Sequence, residues 1–174
     1  MDAAGLSWGR MVVTTDKIWQ LLESVSDPEI PVLTVLDMGI VREVKSFGDG
    51  VEVVITPTYS GCPAMKSIEF SIIAELEANG IHPVKVTTVL SPSWTTDWMS
   101  EEGRKKLKVY GIAPPIPGTN AKRIEALFSE APQPECPHCG AKNTKLVSQF
   151  GSTACKALYQ CQDCKEPFDY FKCH

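Results

Sequence analysis

The chain has 174 residues, 43% hydrophobic and 22% charged, with 17 basic against 21 acidic side chains, a formal net charge of −4 and a pI near 5.4. That balance lacks the basic footprint of a nucleic-acid binder, and no stretch has the length and apolarity of a signal-peptide core or a bilayer span. The length allows one real core and a small appendage, so two unequal domains in the cytoplasm are expected, with no membrane or nucleic-acid partner.

Ile18, Leu21, Leu22 and Val25 recur at helical spacing after the start signals Thr14, Thr15 and Asp16, and Asp27-Pro28 stops the helix. Residues 40–45 and 51–56 read as a β-hairpin around Phe47-Gly48-Asp49-Gly50. A second helix is expected from Pro63 to Asn79, with Met65, Ile68, Ile72, Ile73 and Leu76 turned to the sheet and Gly80 closing it. A third strand follows through Val84, Val86, Val89 and Leu90, and residues 94–110 are helical in part up to Gly111. The fold class is therefore α/β (α+β): a small domain over residues 12–113, with a mostly three-stranded sheet and flanking helices. Residues 114–132 form a proline-rich linker with a short helix near 120–130, and residues 133–174 form a second domain.

That second domain carries Cys136-Pro-His-Cys139, 21 further residues, and then Cys161-Gln-Asp-Cys164. Two C-x-x-C pairs converge four thiolates on one tetrahedral metal, and the runs Leu146-Val147 and Ala157-Leu158-Tyr159 supply a hairpin between them. The expectation is a structural Zn(2+) in a zinc ribbon, with no open position for an activated water. Rubredoxin-like iron uses the same sulfur set.

Of the seven cysteines, Cys62, Cys155 and Cys173 remain. Cys62 ends Thr56-Pro-Thr-Tyr-Ser-Gly-Cys62 and precedes Pro63, a residue favoured at the first helical position. Unpaired amides and the helix dipole at such a position favour a thiolate, so Cys62 reads either as a working thiol or as a buried cysteine that caps the helix. Cys155, beside Lys156 whose charge favours a thiolate, is a second candidate against a packing role; Cys173 is a bystander or an alternative ligand. Trp94 and Trp98 read as core or interface.

The motifs Asp27-Pro-Glu-Ile-Pro31, Asp37-Met-Gly-Ile40, Thr56 to Pro63 and Trp94-Thr-Thr-Asp97 resemble the SufT-like domain of iron-sulfur assembly over roughly residues 14–113. Ser100-Glu-Glu-Gly103, residues 106–115 and Phe150-Gly-Ser-Thr-Ala-Cys-Lys156 extend a resemblance to the PaaD family of the bacterial phenylacetate pathway over nearly the whole chain. The resemblance implies a non-catalytic factor that matures or maintains iron centres of the multicomponent phenylacetyl-CoA epoxygenase. It places the family's cysteine on Cys62 and its acidic positions on Asp27, Glu29 and Asp37. Each acid also has a plain reading as a turn or cap residue. Thr56, Thr58, Tyr59, Ser60 and Gly61 form the supporting loop, whose polar groups either bond a thiolate or cluster sulfide or satisfy the loop's own backbone.

One Cys62 cannot hold an iron-sulfur cluster alone. A homodimer, a client, or Cys155 and Cys173 must supply the remaining ligands to a transient Fe-S cluster. The resemblance makes the epoxygenase components the partners, with the iron-sulfur-bearing reductase as preferred client. The alternative is a scaffold subunit that handles no iron. A cysteine hydrolase would need a histidine base, and His82, His138 and His174 read as solvated loop or terminal positions. Neither the carboxylate and Glu-x-x-His helices of a di-iron oxygenase nor a phosphate-binding glycine motif occurs.

Overall fold

The computed structural model describes residues 14–116 and 132–172; the helix expected near residues 120–130 and Cys173 lie outside them. Helix α1 (Thr15–Leu22) begins where Thr14 accepts the Lys17 amide in its side-chain oxygen, and it ends three residues before Val25. Val25 is buried all the same, in an extended segment that bonds to Val35. The hairpin is β1 (Val41–Phe47) and β2 (Gly50–Ile55), with Gly48 left-handed in the turn and a bulge between Val41 and Glu43.

Helix α2 (Ala64–Ala78) crosses over to β3 (Val84–Thr88), which pairs parallel with β2, giving the order β1-β2-β3. Strand β2 is central, and five of its six residues are buried. Ala64, Ile68, Ile72 and Leu76 form the buried ridge of α2 at i, i+4 spacing, whereas Met65 and Ile73 are only partly covered. The third strand stops at Thr88, short of the expected Leu90, which is exposed.

Beyond it a single 3₁₀ turn (Thr96–Trp98) leads to α3 (Glu101–Tyr110), capped by the Ser100 hydroxyl accepting the Gly103 amide and ended by left-handed Gly111. Asp37 anchors this segment. Its carboxylate accepts from the Thr34 amide and hydroxyl (both 3.1 Å), from Ser100 Oγ (3.0 Å) and from Lys106 Nζ (2.6 Å), and its carbonyl accepts the Ser100 amide. Arg104 donates to the carbonyls of Thr96 and Pro115, tying the chain before α3 to the chain after it.

The C-terminal part is a second sheet in the order β4-β7-β6-β5, built from β4 (Ile112–Ala113), β5 (Thr144–Ser148), β6 (Lys156–Cys161) and β7 (Pro167–Phe171). The expected hairpin is β5 with β6. Strand β7 and the parallel pairing of β4 with it are additions to the expected elements, because a two-residue strand and a run opened by proline carry almost no period-2 signal. Through that pairing Phe171 and Cys155 enter the core formed by α1, α2 and β2, where Phe171 meets Trp94 edge to face at 6.2 Å.

Gly39 has φ +65°, and a Cβ there would stand 2.4 Å from the Trp98 carbonyl oxygen, whereas Gly48 has φ +55° and open space around it. Gly39→Ala should therefore destabilise by more than Gly48→Ala, which carries only the backbone strain of order 1 kcal/mol. Urea unfolding of the two variants checks the order.

Candidate metal and thiol centres

The two C-x-x-C turns are built alike. Cys136 N–H donates to Ala141 O and Cys161 N–H to Glu166 O, and the residue after each second cysteine, Gly140 or Lys165, is left-handed. Gln162 N–H to Asn143 O and Asn143 Nδ2 to Asp163 Oδ1 (3.0 Å) clamp one turn against the other. Beneath them Tyr159 stacks on Phe168 and meets Tyr170 edge on, a core too small to stand unaided. All four sulfurs lie within 4.8 Å of one another, with Cys136 to Cys164 at 3.8 Å and Cys139 to Cys161 at 3.6 Å. A tetrahedral zinc about 2.3 Å from each sulfur requires edges of ~3.8 Å, so the residues fit the ion. Backbone amides, that of Cys164 foremost, pull the Cys161 thiol down to about 7, whereas against the Glu166 amide burial and the neighbouring sulfurs push Cys164 up to about 12, so the four thiols share their protons unequally.

Helix α2 starts one residue later than its proline suggests. Pro63 is the N-cap and Cys62 stands outside the helix. The Cys62 amide donates to Tyr59 O, and its half-buried sulfur is hydrogen-bonded by the Ala64 amide and the Thr58 side chain. The expected easy ionisation is overturned. Burial pushes the thiol above its ordinary value, the two hydrogen bonds oppose this, and the nearby Glu29 and Asp27 charges add to it. Tyr59 shares a hydrogen bond with the same sulfur.

Asp27 is a turn residue. Its Oδ1 accepts the amides of Glu29 (2.7 Å) and Ile30 (2.8 Å), and burial raises its pKa despite those bonds. Glu29 points elsewhere, its Oε2 accepting from Cys155 Sγ at 3.6 Å. Asp37 lies in the α3 anchor, its carboxylate turned to Thr34, Ser100 and Lys106. Although burial opposes ionisation, Lys106 and the hydrogen bonds from Thr34 and Ser100 hold its carboxyl below the usual range.

Thr56 and Thr58 are buried, while Ser60 and Gly61 are exposed. The Thr56 hydroxyl, 1% exposed, has no hydrogen-bond partner among the described residues. Residues 56–60 line a shallow cleft of about 160 Å³ together with Leu90, Ser93 and Trp94.

Cys155 immediately precedes β6 and is buried, with Thr153 Oγ1 at 3.0 Å from its sulfur. Here too the expectation of a favoured thiolate fails. Burial pushes Cys155 up to about 11 with Glu29 adding to it, and the opposing Lys156 charge is too weak, since that ammonium faces Asp169 at 3.4 Å. Thr153 is a contact that sequence reasoning missed, its nearness in the chain being the only signal. The partners of Asp37, 63 and 69 residues away, offered none.

Residues 15–90 match the family described as iron-sulfur cluster assembly protein, and residues 120–172 match the PaaD zinc beta ribbon domain. A protein of Escherichia coli named as one of the subunits of a 1,2-phenylacetyl-CoA epoxidase is 48% identical over 157 residues, 90% of this chain and 92% of the relative. An Fe-S protein maturation auxiliary factor of Porphyromonas gingivalis is 38% identical over 96 residues, 54% of this chain and 90% of that protein. Among solved structures, a DUF59 domain of Bacillus anthracis superposes with a TM-score of 0.51 at 26% identity, covering 54% of this chain and 91% of that one.

Removing zinc with a strong chelator should abolish hydrogen-exchange protection in β5 and β6 while β1–β3 keep theirs, and zinc affinity should fall as pH falls because the ligands must deprotonate. In the zinc-loaded chain, iodoacetamide should modify Cys62 more slowly than a free cysteine near pH 7, accelerating as pH rises through the raised pKa. Cys155, pushed higher and buried, should react more slowly still, as site-resolved mass spectrometry will show.

Proposed function

The chain belongs to the PaaD family, that of its Escherichia coli relative, and from this premise we propose that it matures iron-sulfur centres of a phenylacetyl-CoA epoxidase, with Cys62 as a transient ligand to iron or to an Fe-S cluster in transit. The observation that carries the reading is the setting of Cys62. It is half-buried, kept as a thiol by burial, bonded by the Ala64 amide and Thr58, and flanked by Asp27 and Glu29. A thiol that is protonated at rest and surrounded by negative charge stays inert toward passing electrophiles, yet it gives up its proton when a cation arrives to neutralise the thiolate. Such a site suits cargo that must be picked up and released.

The Thr56 to Gly61 loop supports Cys62 from one side and the Asp27-to-Glu29 turn from the other. The four-cysteine ribbon holds structural zinc, all four of its positions filled by sulfur, and presents a docking surface to the client. The preferred client is the reductase component, the iron-sulfur protein of the system, reached in the cytoplasm. The chain itself takes no part in substrate oxidation. Residues 12–113 act as the assembly domain and residues 133–174 as the ribbon, and a homodimer or the client completes the cluster's coordination.

The test is to produce the epoxidase components in cells carrying either the wild-type chain or Cys62→Ser, and to measure iron and acid-labile sulfide in the purified reductase beside the recovery of the whole complex. The reading expects reductase iron and sulfide to fall severalfold with the complex still assembled. Full loading of the reductase in the presence of Cys62→Ser would overturn it and favour a scaffold role in which the chain handles no iron.

A further inference from the structure

The ribbon does more than lie beside the assembly domain. The turn before β6 places Cys155, a ribbon residue, in the core of the other domain, in the same packed cluster against which Cys62 lies. Glu29 stands at this meeting point. Its Oε2 is 3.6 Å from Cys155 Sγ, and among the described residues it has no ion pair. The nearest ribbon ammonium groups are engaged elsewhere, Lys156 with Asp169 and Lys172 with the Gln149 carbonyl and the Phe150 ring. A thiol and a carboxylate from two domains therefore meet without a cation opposite Glu29, and Cys62 packs against the same cluster.

We propose that Cys62, Glu29 and Cys155 form a composite site for one divalent transition-metal ion of the ferrous type, with the ribbon contributing Cys155. This deepens the reading of Cys62 as an iron ligand and rests on it. The ligand chemistry selects the ion, because two sulfurs with one carboxylate suit ferrous iron, cobalt or zinc and disfavour magnesium and calcium. The geometry agrees for the pair already in contact. A metal about 2.3 Å from a thiolate sulfur and about 2.1 Å from a carboxylate oxygen holds those two atoms ~3.6 Å apart at a tetrahedral angle, the distance that separates Cys155 Sγ from Glu29 Oε2.

Cys62 has further to travel. Among the described residues only the four ribbon cysteines bring three ligand atoms within 4.8 Å. The composite site requires Cys62 to move inward with the exposed Ser60-Gly61 turn, where an added Cβ at Gly61 would meet nothing closer than 3.8 Å. On binding, each thiol gives its proton to solvent and Glu29 binds as the carboxylate. Two thiolates and one carboxylate around a dication leave a net charge of −1, and the fourth position is open to water or to a client ligand. The zinc in the ribbon then acts on cargo at a distance, because it fixes β6 and with it the position of Cys155.

The experiment is an anaerobic titration of the zinc-loaded full chain with cobalt(II), followed by sulfur-to-cobalt charge-transfer absorption, with zinc content measured before and after. The wild type should bind cobalt beyond the retained zinc. Cys62→Ser and Cys155→Ser should each lose most of the band, and Glu29→Gln should weaken cobalt binding about tenfold, all with zinc unchanged. A Cys155→Ser chain that titrates like the wild type while Cys62→Ser does not bind overturns the composite site and leaves Cys62 standing as a ligand. No cobalt binding by the wild type overturns the composite site outright. Should Cys155→Ser lose zinc or unfold, Glu29→Gln decides alone, since this partly exposed side chain lies outside both cores, and unchanged cobalt affinity there overturns the proposal.

Discussion

The pairing of Ile112 and Ala113 with Asp169 and Tyr170 is the contact on which the rest of the molecule turns. Two residues of parallel ladder contribute little on their own, but they join the chain leaving α3 to β7, which β6 holds in the ribbon over five paired residues. The next residue, Phe171, is fully buried against Trp94 and joins the core of the assembly domain, as does Cys155. The link requires both ends to be rigid. On one side α3 must end sharply at Gly111, and on the other the ribbon must be held by metal, since its few aromatic residues cannot offset the chain entropy of 41 described residues.

Asp37 serves the same end from further away. It joins the loop after α1 to the cap and first turns of α3, and so sets where α3 delivers β4. The plain reading of Asp37 as a local turn residue is correct as far as Thr34, and its remaining bonds are long-range. Asp27 likewise takes a turn role. Glu29 differs from both, because its carboxylate is directed away from its own turn and toward the ribbon.

What could be read in the sequence follows the range of the interactions. Helices α1 and α2, the hairpin and the four-cysteine cluster depend on spacing within a short window, and all were legible. The ends of elements were less so. Helix α1 stops before Val25 because the Val25 backbone bonds to Val35, and β3 stops before Leu90 as the chain turns toward Trp94. Strand β4 could not be seen, for its partner lies 57 residues away, and β7, though paired with the nearby β6, opens on a proline and carries little period-2 signal. The ionisation of Cys62 and Cys155 was misjudged for a related reason. A helix start and an adjacent lysine are visible in the sequence, while burial and the approach of Glu29 are products of the tertiary fold.

The thiols of Cys62 and Cys155, both raised by burial, are set apart from the ribbon's four by geometry. The ribbon sulfurs already stand at the edges of a metal tetrahedron, so an ion there gains four preorganised ligands and is slow to leave. In the composite site proposed at Cys62 and Cys155, two protons would first have to leave disfavoured sites and one thiol be drawn inward, and both steps would subtract from the affinity. A ligand set that must be assembled against such costs holds its ion less tightly than a preformed one. Retention is required of a structural metal, whereas release is required of cargo, and the proposed composite site would divide from the ribbon's four sulfurs along that line.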